Sequence, residues 1–303
     1  MLKNAVKPKL IVIGGPTASG KSDLAVQLAH QFKTEIISAD SRQFYREMNA
    51  GTAKPDATHL STVKHHFIDS LSIHDYYSAG QFETDCLNKL DELFLKFPVV
   101  VMAGGSGLFI HAVIHGFSSR LPKADPVLRT QLNEMSLTDL QSEIKKLDPE
   151  LAAKVDLQNP RRLIRAIEVI RQTGKPYSIL KTQVSSKRNF DHLLICLELD
   201  RSKLYQRIES RVDKMIEAGL QNEAEALFNY RHLPALKTVG YSEWFMHLEG
   251  KISKEEAVRL IKQNTRRYAK RQLTWFRNQH QTFWITPENT EVLQRRLEVF
   301  LNN

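Results

Sequence analysis

Gly14-Gly15-Pro16-Thr17-Ala18-Ser19-Gly20-Lys21-Ser22 is the stretch whose reading decides the fold. The apolar run Leu10-Ile11-Val12-Ile13 leads into it, and Leu24-Ala25-Val26-Gln27-Leu28-Ala29 follows. That order predicts strand, glycine-rich turn, helix. From Gly15 to Ser22 the residues fit G-x-x-x-x-G-K-[ST], a phosphate-binding loop. Glycines let backbone N–H groups wrap an anion, and the helix N-terminus adds a favourable dipole. Gly15, Thr17, Ala18, Ser19, Gly20, Lys21 and Ser22 are thus expected to hold a di- or triphosphate. Lys21 brings a point charge, and the Ser22 hydroxyl can hold Mg2+.

Working outward, the chain predicts an α/β fold. Its core is P-loop NTPase-like, with a central, mostly parallel sheet flanked by helices. Strands are expected at Lys9–Ile13, Glu35–Ser38, His65–Asp69, Val99–Met102, His192–Leu199 and Thr282–Ile285. Val99-Val100-Val101-Met102 is an apolar, mostly β-branched run of the kind buried in parallel sheets. Asp40 follows the second strand, where ligands of such sheets bind, so it is either a chemical group or a helix cap. The fourth strand ends in Gly104-Gly105-Ser106-Gly107, where many nucleotidases carry a Mg2+-binding Asp. Either close backbone approach to a ligand or a tight turn accounts for these glycines.

From 117 to 190 the strand signals vanish and short helical stretches follow, which predicts a small all-α domain inserted into a core of residues 1–116 and 191–303. Residues 157–190 hold Arg161, Arg162, Arg165, Arg171, Lys175, Lys181, Lys187 and Arg188 against one acid, Glu168. A second basic element lies on the helix opened by Ser253-Lys254-Glu255-Glu256, a capping box. No Asp or Glu occurs from Ala257 to Pro287, which includes Lys262, Arg266, Arg267, Lys270, Arg271 and Arg277 with Tyr268, Trp275 and Phe276 interleaved. Positions 262, 266 and 270 share one helix face. With a net charge of +9 over 303 residues, this pattern points to a polyanionic partner. Basic side chains hold phosphates, and aromatic rings stack on bases.

Other classes are excluded or disfavoured. No apolar run approaches the roughly 18 residues of a membrane span, and the N-terminus lacks an apolar signal core. Two cysteines, Cys86 and Cys196, outside any C-x-x-C, fit a reduced cytoplasmic chain. His65, His66, His111 and His115 read as scaffold rather than ligands.

Ordered motifs along nearly the whole chain resemble those of the tRNA dimethylallyltransferase (isopentenyl-tRNA transferase, IPP transferase) family. They include the phosphate loop, Asp40-Ser41-x-Gln43-x-Tyr45, Gly51-Thr52-Ala53-Lys54-Pro55 and His65-His66-Phe67-Ile68-Asp69. Further along come Gly104-Gly105-Ser106-Gly107-Leu108, Asn159-Pro160-Arg161-Arg162-x-x-Arg165-Ala166-x-Glu168 and Thr173-Gly174-Lys175-Pro176. Gly219-Leu220-x-x-Glu223 and Lys270-Arg271-Gln272-Leu273-Thr274-Trp275-Phe276-Arg277 complete the set. Ser106 and Phe109 stand where the family usually has Thr and Tyr. Ser242 departs from the usual basic residue, and Asn49-Ala50 from a larger apolar one.

The resemblance implies that the loop holds dimethylallyl diphosphate with Mg2+ at Ser22. The acceptor is N6 of the adenine just 3′ of the tRNA anticodon, flipped out to meet the donor. It implies that Asp40 takes the N6 proton, Lys21 and Arg211 neutralise the leaving diphosphate, and Ser106 assists near the amine. Asp40, Ser41, Arg42, Gln43 and Ser106 would meet the base. Arg129, Arg161, Arg162 and Arg165 of the insertion would clamp the anticodon stem-loop. Lys237, Gly240, Tyr241, Arg266, Arg267, Lys270, Arg271 and Gln272 would clamp it from the core. A cytoplasmic monomer is expected. The alternatives are an adenylate isopentenyltransferase acting on free AMP, ADP or ATP, a phosphate-loop small-molecule kinase, and a non-catalytic RNA binder.

Overall fold

A computed structural model describes residues 7–116, 121–181 and 187–302. The N-terminal residues 1–6, the expected start of the insertion at Phe117 and the side chain of Lys181 lie outside the described residues. The chain divides into two compact units, one comprising residues up to Ile114 and from Arg188 onward, the other His115–Lys187.

The first unit opens with β1 (Lys9–Gly14), α1 (Lys21–Gln31), β2 (Ile36–Ser38), α2 (Ala57–Thr62), β3 (His65–His66), α3 (Ala79–Phe94), β4 (Val99–Ala103) and α4 (Gly107–His115). The second unit holds α5 (Pro126–Glu134), α6 (Leu137–Leu147), α7 (Pro149–Ala152), α8 (Pro160–Thr173) and α9 (Tyr177–Lys181). The first unit resumes with β5 (Asp191–Leu197), α10 (Arg201–Glu217), α11 (Leu220–Leu227), α12 (Tyr241–Leu248), α13 (Lys254–Arg277), β6 (Phe283–Ile285) and α14 (Thr290–Asn302).

The six strands form one parallel sheet in the order β3-β2-β4-β1-β5-β6. β1 is central, and both its faces are covered, which is why every residue from Leu10 to Ile13 is apolar. Leu10 and Val12 pack with Phe82, Cys86 and Leu90 of α3 and with Ile110 and Val113 of α4. Ile11 and Ile13 point the other way, onto Ala25 and Leu28 of α1 and Leu293 and Leu297 of α14. Alternation along one strand thus builds two cores. Both cysteines are buried and unbonded, and burial pushes both thiols up.

Two local expectations, the extent of the third strand and the end of the insertion, are revised, and a third, on the paired histidines, holds. β3 stops at His66, because Phe67 (φ 63°) and Asp69 (φ 54°) take left-handed backbone that no strand can contain. His65 and His66 are scaffold: Nδ1 of His65 pairs with the Val63 carbonyl at 2.8 Å and Nε2 of His66 with Glu35 at 2.5 Å. The insertion ends earlier than residue 190. Phe190 is buried in the core of the sheet unit, 5.7 Å from the Phe94 ring. Arg188 donates to Glu83 and to the carbonyls of Ala112 and Val113, all within that unit.

In the helical unit, α8 begins at Pro160 behind the cap Asn159, whose side chain accepts from the Arg162 N–H. Its inner face buries Leu163, Ile164, Ile167 and Ile170 against Leu132, Leu140 and Ile144. Glu168 lies on the same helix and is fully buried. Arg129 reaches it at 2.6 Å, Arg165 at 2.7 Å and the Asp125 N–H at 2.9 Å. Two of the arginines expected to touch tRNA therefore hold a buried carboxylate, and Arg171 is bidentate to Glu143. Arg161, Arg162, Lys175 and Lys187 are exposed.

Removing one side of a buried ion pair costs about 3–5 kcal/mol, because the remaining charge loses its partner. Glu168→Ala should lower hydrogen-exchange protection of α8 by at least about 100-fold while β1 keeps its own. Unchanged protection in α8 would show that the carboxylate is not what holds this unit together.

Candidate active site

The carboxyl ends of β1, β2 and β4 are sewn together. Ala39 donates to the Ala103 carbonyl at 2.8 Å, Gly104 to Ile13 at 3.1 Å and Ser106 to Ala39 at 3.3 Å. Gly104 has to be glycine, since a Cβ there would sit 2.1 Å from the Ala39 carbonyl oxygen. The neighbouring glycines are crowded by α13: added Cβ atoms would lie 2.3 Å from Gln272 Nε2 at Gly105 and 2.2 Å from the Trp275 ring at Gly107. The protein itself, rather than a ligand or a turn, explains this glycine run.

The phosphate loop bends through Gly15 (φ 129°), Ala18 (φ 63°) and Gly20 (φ 97°) before α1 begins at Lys21. Gln272, buried on α13, accepts from the Thr17 N–H and donates to the Gly105 carbonyl, both at 2.9 Å. Ser19 is fully buried, and its hydroxyl has no partner among the described residues. Leaving such a group unpaired costs about 1–3 kcal/mol, so the loop suits a ligand that supplies the missing acceptor or donor. Ser22 is exposed at the start of α1.

Two cations face this loop. Lys21 donates to the Pro16 carbonyl at 2.5 Å. Burial and the nearby Arg211 guanidinium lower the Lys21 ammonium to about 8, partly opposed by Asp40. Arg211 makes one long bond, 3.4 Å to the Ala53 carbonyl, and its Nε is buried without a partner among the described residues. Burial lowers its pKa as well, again opposed by Asp40. Two close, partly desolvated cations with unused donors make a receptor for a compact polyanion.

Asp40 accepts from the Arg42 N–H at 3.0 Å in a local turn, and Ser41 donates its N–H to Ser106 Oγ at 2.9 Å. Tyr268 lies beside Ser106 and Asp40; burial pushes its phenol up to about 12, with Asp40 adding to the effect. Asp40, Ser41, Ser106, Lys21 and Arg211 thus belong to one locality. Tyr268, expected only as one of the aromatics interleaved on the basic helix, joins them; an aromatic on an amphipathic helix reads equally as core.

Other expected contact residues turn inward. Gln43 is buried, accepts from Ser38 at 3.2 Å and donates to Ala53 at 3.2 Å, so its amide carries the Thr52–Ala53 turn. Tyr241 is fully buried, with its hydroxyl on Glu223 at 2.5 Å. The same carboxylate accepts from the N–H groups of Asn49, Ala50 and Gly51 at 2.8, 3.0 and 3.1 Å. Gly51 lies tight on the Tyr241 ring, and Gly240 takes φ 99° to start α12, a helix not foreseen from sequence. Phe109 is part of an aromatic cluster with Phe44 and Phe82.

The outer side of α13 remains polar. Arg42 donates to the Ala235 carbonyl at 2.9 Å, and Arg266 pairs with Glu209 at 2.5 Å. Lys237, Arg267, Lys270 and Arg271 are exposed. Lys270 and Arg271, with Thr274, Trp275 and Asn278, line an open cavity of about 320 Å³.

The lowered pKa of Lys21 gives a signed prediction. Below about 8 the amine is already protonated; above it, the free protein loses the proton and an arriving anion restores it. Inorganic diphosphate should therefore bind with proton uptake near pH 8, and more weakly as pH rises. Calorimetry in buffers of different ionisation enthalpy reads this uptake, and Lys21→Arg, charged throughout, should lack it. Equal uptake in both proteins would place the titrating group elsewhere.

Residues 43–279 match the model of the family described as IPP transferase. The tRNA dimethylallyltransferase of Cytophaga hutchinsonii is 48% identical over 288 residues, covering 93% of this chain and 94% of that one. The crystal structure of full-length tRNA isopentenylpyrophosphate transferase from Bacillus halodurans superposes with a TM-score of 0.71 at 36% identity, covering 97% and 96%. A eukaryotic dimethylallyltransferase acting on tRNA superposes with a TM-score of 0.76 at 28% identity, over 89% of this chain and 70% of that one. The chain belongs to the IPP transferase family.

Proposed function

We infer that this chain transfers a dimethylallyl group from dimethylallyl diphosphate to tRNA, onto N6 of the adenine just 3′ of the anticodon. One observation carries the reading most: a phosphate loop with two partly buried, underused cations lies at the same strand ends as the carboxylate of Asp40. A phosphoryl-transfer site would place an acid after β4, but that strand runs into Gly104.

The chemistry is a substitution at carbon. The N6 lone pair forms a bond to the allylic C1 as the C1–O bond breaks, and the electron pair leaves with the diphosphate. Lys21 and Arg211 take up that negative charge. Asp40 accepts the N6 proton, so the product amine is neutral. Ser106, held by the Ser41 N–H, orients the amine. When bound, Mg2+ adds further charge neutralisation at the diphosphate. Ser22, exposed at the start of α1, and the diphosphate oxygens would hold the ion.

The exposed Arg161 and Arg162 of the insertion, and Arg267, Lys270 and Arg271 on α13, suit the phosphates of an anticodon stem-loop. No helix of the described residues is long and apolar enough to cross a membrane.

Incubation with dimethylallyl diphosphate, Mg2+ and either unmodified tRNA or AMP should yield N6-prenyl adenine in tRNA alone. Product on AMP alone would make the chain an adenylate isopentenyltransferase. Asp40→Asn should lower kcat by at least about 100-fold, in the range of lost general bases, while tRNA binding persists. Full turnover in that variant would remove Asp40 from the mechanism.

A further inference from the structure

The phosphate loop is flanked by one face of α10, along which Leu204, Arg207, Ile208 and Arg211 recur at helical spacing. Leu204 and Ile208 are buried in a small cluster that includes Ala18 of the loop. This packing turns the helix face that carries Arg207 and Arg211 toward the loop. Arg211 lies deep, with a buried Nε. Arg207, one turn earlier, lies beside Gly20, the last residue before α1. A Cβ on Gly20 would have Arg207 Nη1 as its nearest neighbour, at 3.7 Å.

Arg207 differs from the other charges around it. Glu209 and Asp213 of the same helix are committed to Arg266 and Lys262 of α13, at 2.5 and 2.6 Å. Asp23, the acid closest to Gly20, is held by His59 Nε2 at 3.0 Å. Arg207 itself is exposed and makes no ion pair or hydrogen bond with another described residue. An arginine kept against a phosphate loop and left unpaired has its planar fork available for an anion.

We propose that Arg207 is a second guanidinium for the diphosphate, gripping it from the open side of the loop at Gly20 while Lys21 and Arg211 hold it from within. This rests on the reading of the loop as a diphosphate site. Arg207 adds a bidentate, solvent-side contact that is made when the diphosphate arrives and broken when it leaves. Its loss therefore acts on donor binding and on diphosphate release, and the tRNA side of the reaction is spared.

Calorimetric titration of inorganic diphosphate with Mg2+, together with steady-state kinetics, tests this. Wild-type protein should bind, and Arg207→Gln should bind about tenfold more weakly, the loss of one charge-assisted contact, with Arg207→Lys between them. The KM for dimethylallyl diphosphate should rise in parallel, while the KM for tRNA and the melting temperature stay at wild-type values. An unchanged diphosphate affinity would overturn the assignment. A raised tRNA KM with unchanged diphosphate binding would do so too, making Arg207 an RNA contact. If the wild-type protein failed to bind diphosphate, the loop reading itself would fall, separately from Arg207.

Discussion

The amide of Gln272 is the contact on which the site depends. It accepts from Thr17 in the phosphate loop and donates to Gly105 after β4, so one side chain on α13 sets the distance between two loops of the sheet. Both bonds are 2.9 Å and the amide is buried, which makes either half costly to lose. The glycines at 104, 105 and 107 are the counterpart of this contact, because any side chain there would push α13 or β2 away. Since α13 also carries Lys270 and Arg271 on its outer side, the same helix ties the chemistry within to the charged surface without.

Around this frame the protein stores an electrostatic imbalance. Burial lowers the pKa of both Lys21 and Arg211, the Arg211 guanidinium lowers Lys21 further, and a single carboxylate, Asp40, offsets part of it. Ser19 and the Arg211 Nε add unpaired polar atoms in the same place. A diphosphate bound as proposed would relieve both conditions at once. In the proposed reaction the imbalance would also spare Asp40: with the cations committed to the leaving group, its carboxylate would be available to the amine.

The central strand, the loop and the two basic elements were legible in the sequence because each depends on local pattern, either alternation, glycine spacing or helical period. What was not legible depends on partners far along the chain. Gln272 meets a residue 255 positions away, and Glu223 clasps a turn more than 170 positions earlier. Gln43 sits in a family motif and Tyr241 is among the expected tRNA contacts, yet their side chains serve the fold beneath the site. Arg129 and Arg165 read as surface charge until Glu168 is seen fully buried between them. The strand at His65 was overextended because left-handed backbone at Phe67 and Asp69 leaves no mark in composition.

The central claim is that a loop of nucleotidase type here holds a leaving group and transfers no phosphoryl group. Phosphorus NMR of a reaction containing dimethylallyl diphosphate, ATP, Mg2+ and unmodified tRNA tests it directly. The account predicts one inorganic diphosphate released per prenylated adenosine, with ATP intact and no orthophosphate formed. ATP consumption coupled to product, or phosphate appearing on the tRNA, would contradict it.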